Sequence, residues 1–248
     1  MNVVNVVNGN INGASINGNG VVINSSNNVI TSNKQHKSNK MKNSIRVNET
    51  KIEKADIINK ISITSFTDIT ISTSNSSNIE INLSGEYVSK EEIIFTTKQN
   101  ENELVIIINK GNDLCSENLE LDIKVPDKFF RNISINNEYG DITIIDTISV
   151  DNININAING DIDLDVLTSN VDIYSVNGNV DLCLSANNNM NVNVSSVSGD
   201  INLELYNISK ITKKLNTTNG SIDNYFDGEG EYSANLKIST INGDITIS

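Results

Sequence analysis

Six glycines recur in one local context, Gly140, Gly160, Gly178, Gly199, Gly220 and Gly243, at spacings of 20, 18, 21, 21 and 23 residues. A period near 20 marks a chain built from stacked units, each too small to bury its own apolar face. The units read GDITIIDTISVDNININAIN, GDIDLDVLTSNVDIYSVN, GNVDLCLSANNNMNVNVSSVS, GDINLELYNISKITKKLNTTN and GSIDNYFDGEGEYSANLKISTIN, and a last partial unit reads GDITIS. After the glycine, apolar and polar residues alternate. Ile162, Leu164 and Val166 take one phase, and Asp161, Asp163 and Asp165 the other. Period two is the strand period. The phase returns at Val180, Leu182 and Leu184 and at Ile201, Leu203 and Leu205, so equivalent positions can pile into inner ladders. A second short strand follows, at Val171 and Ile173, at Met190, Val192 and Val194, and at Leu236 and Ile238. An apolar residue (Ile158, Val176, Val197, Ile241) then precedes the turn.

The turns are Asn159-Gly160, Asn177-Gly178, Asn219-Gly220 and Asn242-Gly243, with Ser198-Gly199 and Tyr139-Gly140 as variants. Glycine supplies positive φ without steric cost, and Asn tolerates the left-handed region. Asn-Gly also closes antiparallel hairpins, so a meander competes with a stack. The glycines, however, mark every second strand, and the phase after each is the same, as parallel register requires. The expected fold is therefore all-β: a single-stack, β-helix-like β-solenoid with coils of about 20 residues, parallel or mixed, preceded by less regular strands.

Composition agrees with that class. The chain has 45 Asn and one Pro among 248 residues, and its many Ile, Val and Thr suit pleated, half-buried surfaces. That length can bury a sizeable core without disulfides or metals. Three segments are read: an Asn/Gly-rich segment with a basic linker (1–44), an opening β section (45–126) and the repeat solenoid (127–248), with 45–248 as one continuous domain. In the opening section Ile61, Ile63, Ile69, Ile71, Ile79, Ile81 and Leu83 keep the alternation. Val105 to Ile108 is apolar on both faces, as in a central strand, and Pro126 ends the LELDIKV strand. The stretch VVINSSNNVI could form a strand, and disorder of the low-complexity tail around it is the alternative. The basic run from Lys34 to Lys42 is read as a solvated linker.

The formal net charge of −13 argues against nucleic acid and anionic membrane surfaces as partners. No run of 18 apolar residues predicts membrane insertion, and MNVVNVVNGNING does not read as a signal peptide. The expected location is the cytoplasm, with envelope or surface association as the alternative. Cys115 and Cys183 match no metal or redox spacing and are read as exposed thiols. A single histidine, His36, leaves no histidine-dependent triad and no tetrahedral zinc shell. No phosphate-cradling glycine loop occurs, so neither catalysis nor a cofactor is expected. Asp141, Asp161, Asp200 and Asp244 follow turn glycines and form a column, interrupted by Asn179 and Ser221. In stacked strands roughly 4.7–4.9 Å apart such carboxylates repel unless solvent, a hydrogen bond or a cation screens them. A solvated acidic face is the leading reading, and calcium is the weaker one. Tyr174, Tyr206 and Tyr225 are read as scattered surface rings rather than a glycan- or peptide-binding stripe.

The strand pair KISITSFTDITIS, the strand LELDIKVP and the Gly-Asp-Ile turns at 140–142, 159–162, 199–201 and 242–245 together resemble the putative-adhesin family of bacterial β-strand-repeat proteins. The resemblance spans Ile45 to Ser248. It implies a single-stack β-solenoid, with an envelope or surface role in some relatives, and is nearly silent about activity. The expected function is a non-catalytic structural or interaction module that binds a protein or polysaccharide. A cytoplasmic accessory or sensor in an envelope-stress pathway is the alternative, and a carbohydrate-active β-helix enzyme with a carboxylate pair is more remote. Ser248 ends the chain only six residues into its last coil. That predicts an open strand edge there, closed by homo-oligomer formation or by the N-terminal tail.

Overall fold

Each two-strand unit places its apolar phase inward against its neighbours, and eighteen strands result. In the computed structural model, which describes residues 44–111, 114 and 116–248 and the backbone of 20–23 and 29–32, they are, in order, β1 (Gly20–Ile23), β2 (Val29–Ser32), β3 (Ser44–Lys54), β4 (Lys60–Ser65), β5 (Asp68–Ser74), β6 (Asn78–Val88), β7 (Ile94–Asn100), β8 (Glu103–Asn109), β9 (Ser116–Pro126), β10 (Phe130–Asn137), β11 (Ile142–Asn159), β12 (Ile162–Asn177), β13 (Val180–Ser185), β14 (Met190–Ser198), β15 (Ile201–Asn219), β16 (Ile222–Asn224), β17 (Gly230–Asn242) and β18 (Ile245–Ile247). No helix among the described residues is long and apolar enough to cross a membrane.

Two parallel ladders run the length of a solenoid-like stack. Ladder A joins β9, β5, the first halves of β11 and β12, β13, the first half of β15, β18 and β16. Ladder B joins β8, β4, β10, the second halves of β11 and β12, β14, β17 and the second half of β15. In ladder A the column Leu121, Ile69, Ile142, Ile162, Val180, Ile201, Ile245 lies inward, and in ladder B the column Leu104, Ile61, Ile133, Ile153, Val171, Val192, Leu236. Every member is at most 3% exposed, and all belong to one core. Burying each such side chain contributes about 1.5–3 kcal/mol, so these columns supply the main driving force for stacking. β4 and β5, from the opening section, keep the register of the repeat coils (Ile63↔Ile135, Ile69↔Ile142).

Stack order departs from chain order at both ends. At Asn207, in the left-handed region at φ 62°, β15 leaves ladder A and its second half skips one level. β16 follows it, and the chain then returns as β17 and β18 to fill the gap. β17 pairs with β14 on one side and β15 on the other (Met190↔Ala234, Ile211↔Ala234). β18 lies between β15 and β16 (Ile201↔Ile245, Ile222↔Ile245). The expected open edge at Ser248 is thereby corrected: the last strand is bonded on both sides, and the edge is formed by residues 207–224. Phase and turn chemistry fit a coil to the stack but not to one level of it, which is why the repeat alone misplaces the end. Asn207 fixes the skip, donating from Nδ2 to the Ala186 carbonyl at 2.9 Å and accepting the Glu231 N–H at 3.1 Å.

The other end mirrors this arrangement. The chain lays down β4 and β5, leaves through β6 and β7, and returns as β8 and β9 on the far side of them. It then crosses to β10, where the Arg131 N–H donates to the Asn59 carbonyl at 2.7 Å and Lys128 donates to the carbonyls of Ala55 and Ile58. β8 is flanked by β4 and β7, consistent with its two apolar faces. Pro126 closes β9. Antiparallel pairing occurs here, in β9–β6–β3 and β8–β7, so the fold is mixed. The hairpin β1–β2 joins β3 through Thr31↔Thr50 and Ser32↔Glu49. These strands lie at the end remote from residues 207–224 and do not close that edge.

Gly160 is the most stringent test of coil spacing. Its φ is +133°, and a Cβ would lie 2.1 Å from the Gly140 carbonyl oxygen in the adjacent coil. Gly160→Ala is expected to destabilise the fold by about 2–4 kcal/mol through strain and displaced backbone, measured by urea unfolding. A loss below about 1 kcal/mol would mean that the coils can separate freely at the turn.

Candidate functional site

Along the turn edge each coil is tied to the next by one side chain. The backbone N–H of Asp141 donates to Asp68 Oδ1 at 2.9 Å, that of Asp161 to Asp141 at 2.8 Å, and that of Asn179 to Asp161 at 2.7 Å. The N–H of Asp200 then donates to Asn179 at 3.0 Å, that of Asp244 to Asp200 at 2.8 Å, and that of Ser221 to Asp244 at 2.6 Å. Asn179 is thus a working member of the column, and Asp68 heads it. Ser221 stands in the outermost coil of the described residues, where none of them offers a further N–H that needs an acceptor. Hydrogen bonding occupies one oxygen of each aspartate in this column, Asp68, Asp141, Asp161, Asp200 and Asp244. No group of three or more His, Cys, Asp or Glu side chains among the described residues could hold a metal ion. Beside this column, Asn177 donates to Asn159 Oδ1 at 3.1 Å and Asn219 to Asn242 Oδ1 at 2.8 Å. Asn159 donates to the Glu138 carbonyl at 3.4 Å.

Beneath the turns runs a column that the sequence reading missed, three residues before each glycine. Asn137, Ala157, Ser175, Ser196 and Thr240 are buried and Thr217 half-buried. Where the side chain is long enough it bonds a turn carbonyl: Asn137 to Gly140 at 2.9 Å, Thr240 to Gly199 at 3.2 Å, Thr217 to Gly243 at 2.8 Å. Recurrence of small residues at glycine minus three was the available signal.

The outer face of ladder B offers room for a ligand. A groove of about 550 Å³ crosses five strands and is lined by Asn152, Asn154, Asn170, Asp172, Asn191, Asn193, Asn235, Thr212, Lys213, Lys214 and Lys237, together with Ile153, Val171, Val192 and Leu236 between them, which belong to the core column. Its amides are aligned by their own bonds: Asn191 to Asn170 Oδ1 at 3.1 Å, Asn235 to Asn191 Oδ1 at 3.2 Å, and Asn193 to Asp172 Oδ1 at 2.8 Å. An amide carries two donors and two acceptor lone pairs, so each keeps capacity for a ligand. Toward the turns the same face carries Tyr174, 48% exposed, and then the outward column of Ile158, Val176, Val197 and Ile241, whose end members are 47% and 48% exposed.

The outer face of ladder A is acidic. Burial pushes the Asp163 carboxyl above its usual range, with repulsion from Asp181 and Asp165 adding to it. Cys183 is half-buried; burial, then Asp165, Glu204 and Asp163, push its thiol upward, toward the unreactive form. Tyr206 donates to Glu204 at 3.1 Å, which raises its phenol. Tyr174, Tyr206 and Tyr225 stand on ladder B, ladder A and the outermost coil, and form no stripe. His36 and Cys115 lie outside the described residues.

The Toastrack DUF4097 family model matches residues 58–169 and 164–248. No curated protein matches the chain. A solved structure from Clostridium sporogenes, described as a putative cell adhesion protein, is 19% identical with a TM-score of 0.53, covering 82% of this chain and 98% of that one. A putative adhesin from Bacteroides fragilis is 18% identical with a TM-score of 0.47, covering 80% and 96%. A putative lipid binding protein from Parabacteroides distasonis is 13% identical with a TM-score of 0.35, covering 81% and 97%. At these identities the first likeness bears on the fold.

The turn column separates a structural role from a metal-binding one. Asp161→Asn, which preserves the acceptor as Asn179 does, is expected to leave the melting temperature unchanged. Asp161→Ala should destabilise by about 0.5–1.5 kcal/mol, the net worth of one hydrogen bond. Millimolar calcium should move neither variant nor the parent. A calcium-dependent rise that Asp161→Asn abolishes would instead identify a metal ligand.

Proposed function

The chain belongs to the Toastrack DUF4097 family, and we propose that it works as a non-catalytic interaction module, a single-stack β-solenoid that lays an extended polysaccharide or protein across the outer face of ladder B. The groove on that face is the observation that carries this reading. Its side chains are held at strand spacing by bonds to one another, so little ordering entropy is lost when a ligand docks. Its lining contains one carboxylate, Asp172, and neither histidine nor cysteine. Glycoside hydrolysis in its usual form needs a pair of carboxyl groups, and histidine-dependent acyl transfer needs a nucleophile beside its base. The residues lining the groove supply binding groups without either pair. Two settings suit such a module, an envelope-associated adhesin and a cytoplasmic accessory or sensor.

The test fills the groove. Asn191 is exposed and central in it, so Asn191→Trp should block the face without disturbing the core. On an array of polysaccharides and extended peptides, the parent chain should be retained by some members and Asn191→Trp by none of those. No reducing ends or new peptide termini should appear. Retention that Asn191→Trp leaves unchanged, or cleavage of a retained polymer, would contradict the proposal.

A further inference from the structure

We infer that this groove takes an acidic, hydroxyl-bearing glycan, with Lys214 and Lys237 contacting its anionic groups; the inference rests on reading the face as a polymer-binding surface. Read up the stack, one outward column runs Asn154, Asp172, Asn193, Lys237, Lys214. The last two are direct cross-strand neighbours, and like charges so placed destabilise a sheet. Lys213 lines the same end from the opposite phase of its strand, in register with Leu236. Among the described residues no ion pair involves Lys213, Lys214 or Lys237, so none of the three lysines has a carboxylate partner there. In a chain with a net charge of −13, this is a local reversal of sign. The groove's one carboxylate, Asp172, is engaged by Asn193. An anion seated between Lys214 and Lys237 removes their repulsion and supplies the missing counter-charge.

The second observation is the side-chain amide oxygen of Asn193, Oδ1, which is buried and accepts no hydrogen bond. A buried acceptor without a donor is costly. Its residue sits in register with Lys237, and a turn of the amide would present the oxygen to a ligand hydroxyl beside an anionic group. The aligned amides of Asn170, Asn191 and Asn235 continue the hydroxyl-matching surface at roughly 4.8 Å per strand, a length comparable to one hexose unit. A sparsely charged glycan fits better than nucleic acid, whose dense phosphates would meet the negative field of the remaining surface.

Calorimetric titration of the full chain decides the matter, with oligogalacturonate as the carboxylate probe, a glycerol-phosphate oligomer as the phosphate probe, and methyl-esterified oligogalacturonate and dextran as uncharged controls. One or both anionic probes should bind, which distinguishes carboxylate from phosphate, and the esterified form should bind at least 10-fold more weakly. Lys214→Gln with Lys237→Gln should lose at least 10-fold at a melting temperature no lower than the parent's, since their repulsion is removed, and the double Arg variant should retain binding. Equal binding of the acid and its ester, still abolished by Asn191→Trp, would overturn this inference and leave the polymer-binding reading standing. Tighter lysine-dependent binding of poly-glutamate would replace the glycan by an acidic peptide. Binding of every probe unchanged in all variants, or of none, would overturn it as well.

Discussion

Close contact between turn glycines sets the geometry of the stack. From Gly160 through Gly178 and Gly199 to Gly243, each glycine sits so near the carbonyl of the glycine in the adjacent coil that a side chain would overlap it at 2.0–2.1 Å. The following Asx side chain then accepts the next coil's N–H. Together these contacts fix the rise per coil and the register at one edge. With register fixed there, every inward residue meets its equivalent, and the aliphatic columns form without any one coil having a core of its own.

The same periodicity accounts for the abundance of Asn. A residue that faces outward in every coil meets a copy of itself above and below, and like charges in that arrangement repel. An amide donates and accepts at once, so it can repeat indefinitely. Asn170, Asn191 and Asn235 do this on ladder B, and Asn159 with Asn177 at the turn. Charges gather where the repetition is broken or partnered: Asp181 accepts from Asn202 at 2.6 Å, and the lysines cluster near the outermost coil. The amide-lined face of ladder B is thus a by-product of stacking rules, departing from them at Lys214 and Lys237.

Strand period, coil length and the turn were legible because each is local: Ile162, Leu164 and Val166 declare their phase within six residues. The order of coils was not legible, since it depends on which of several compatible surfaces a coil meets. Two residues nevertheless mark the true end. Ser221 replaces the Asx acceptor, and Lys213 takes the place that aliphatic residues hold in the rest of its column, both in the outermost coil. A polar residue closing an apolar column also discourages further strand addition. The groove was hidden for a similar reason. Its residues come from five strands between Asn152 and Lys237, and no local pattern reports that Lys214 and Lys237 are neighbours. Nothing in the sequence sets Asn207 apart from the other asparagines, although its left-handed backbone permits the skipped level.

The skipped level organises the end of the stack, and amide hydrogen exchange reads it directly. The amides of Ile245 and Ile247, at the end of the chain yet internal to the stack, should be protected as strongly as those of Ile201 and Leu203. Those of Ile222 and Asn224, on the exposed coil, should exchange far faster. Rapid exchange at Ile245 and Ile247 with protection at Ile222 would restore the sequential order of coils and contradict the arrangement described.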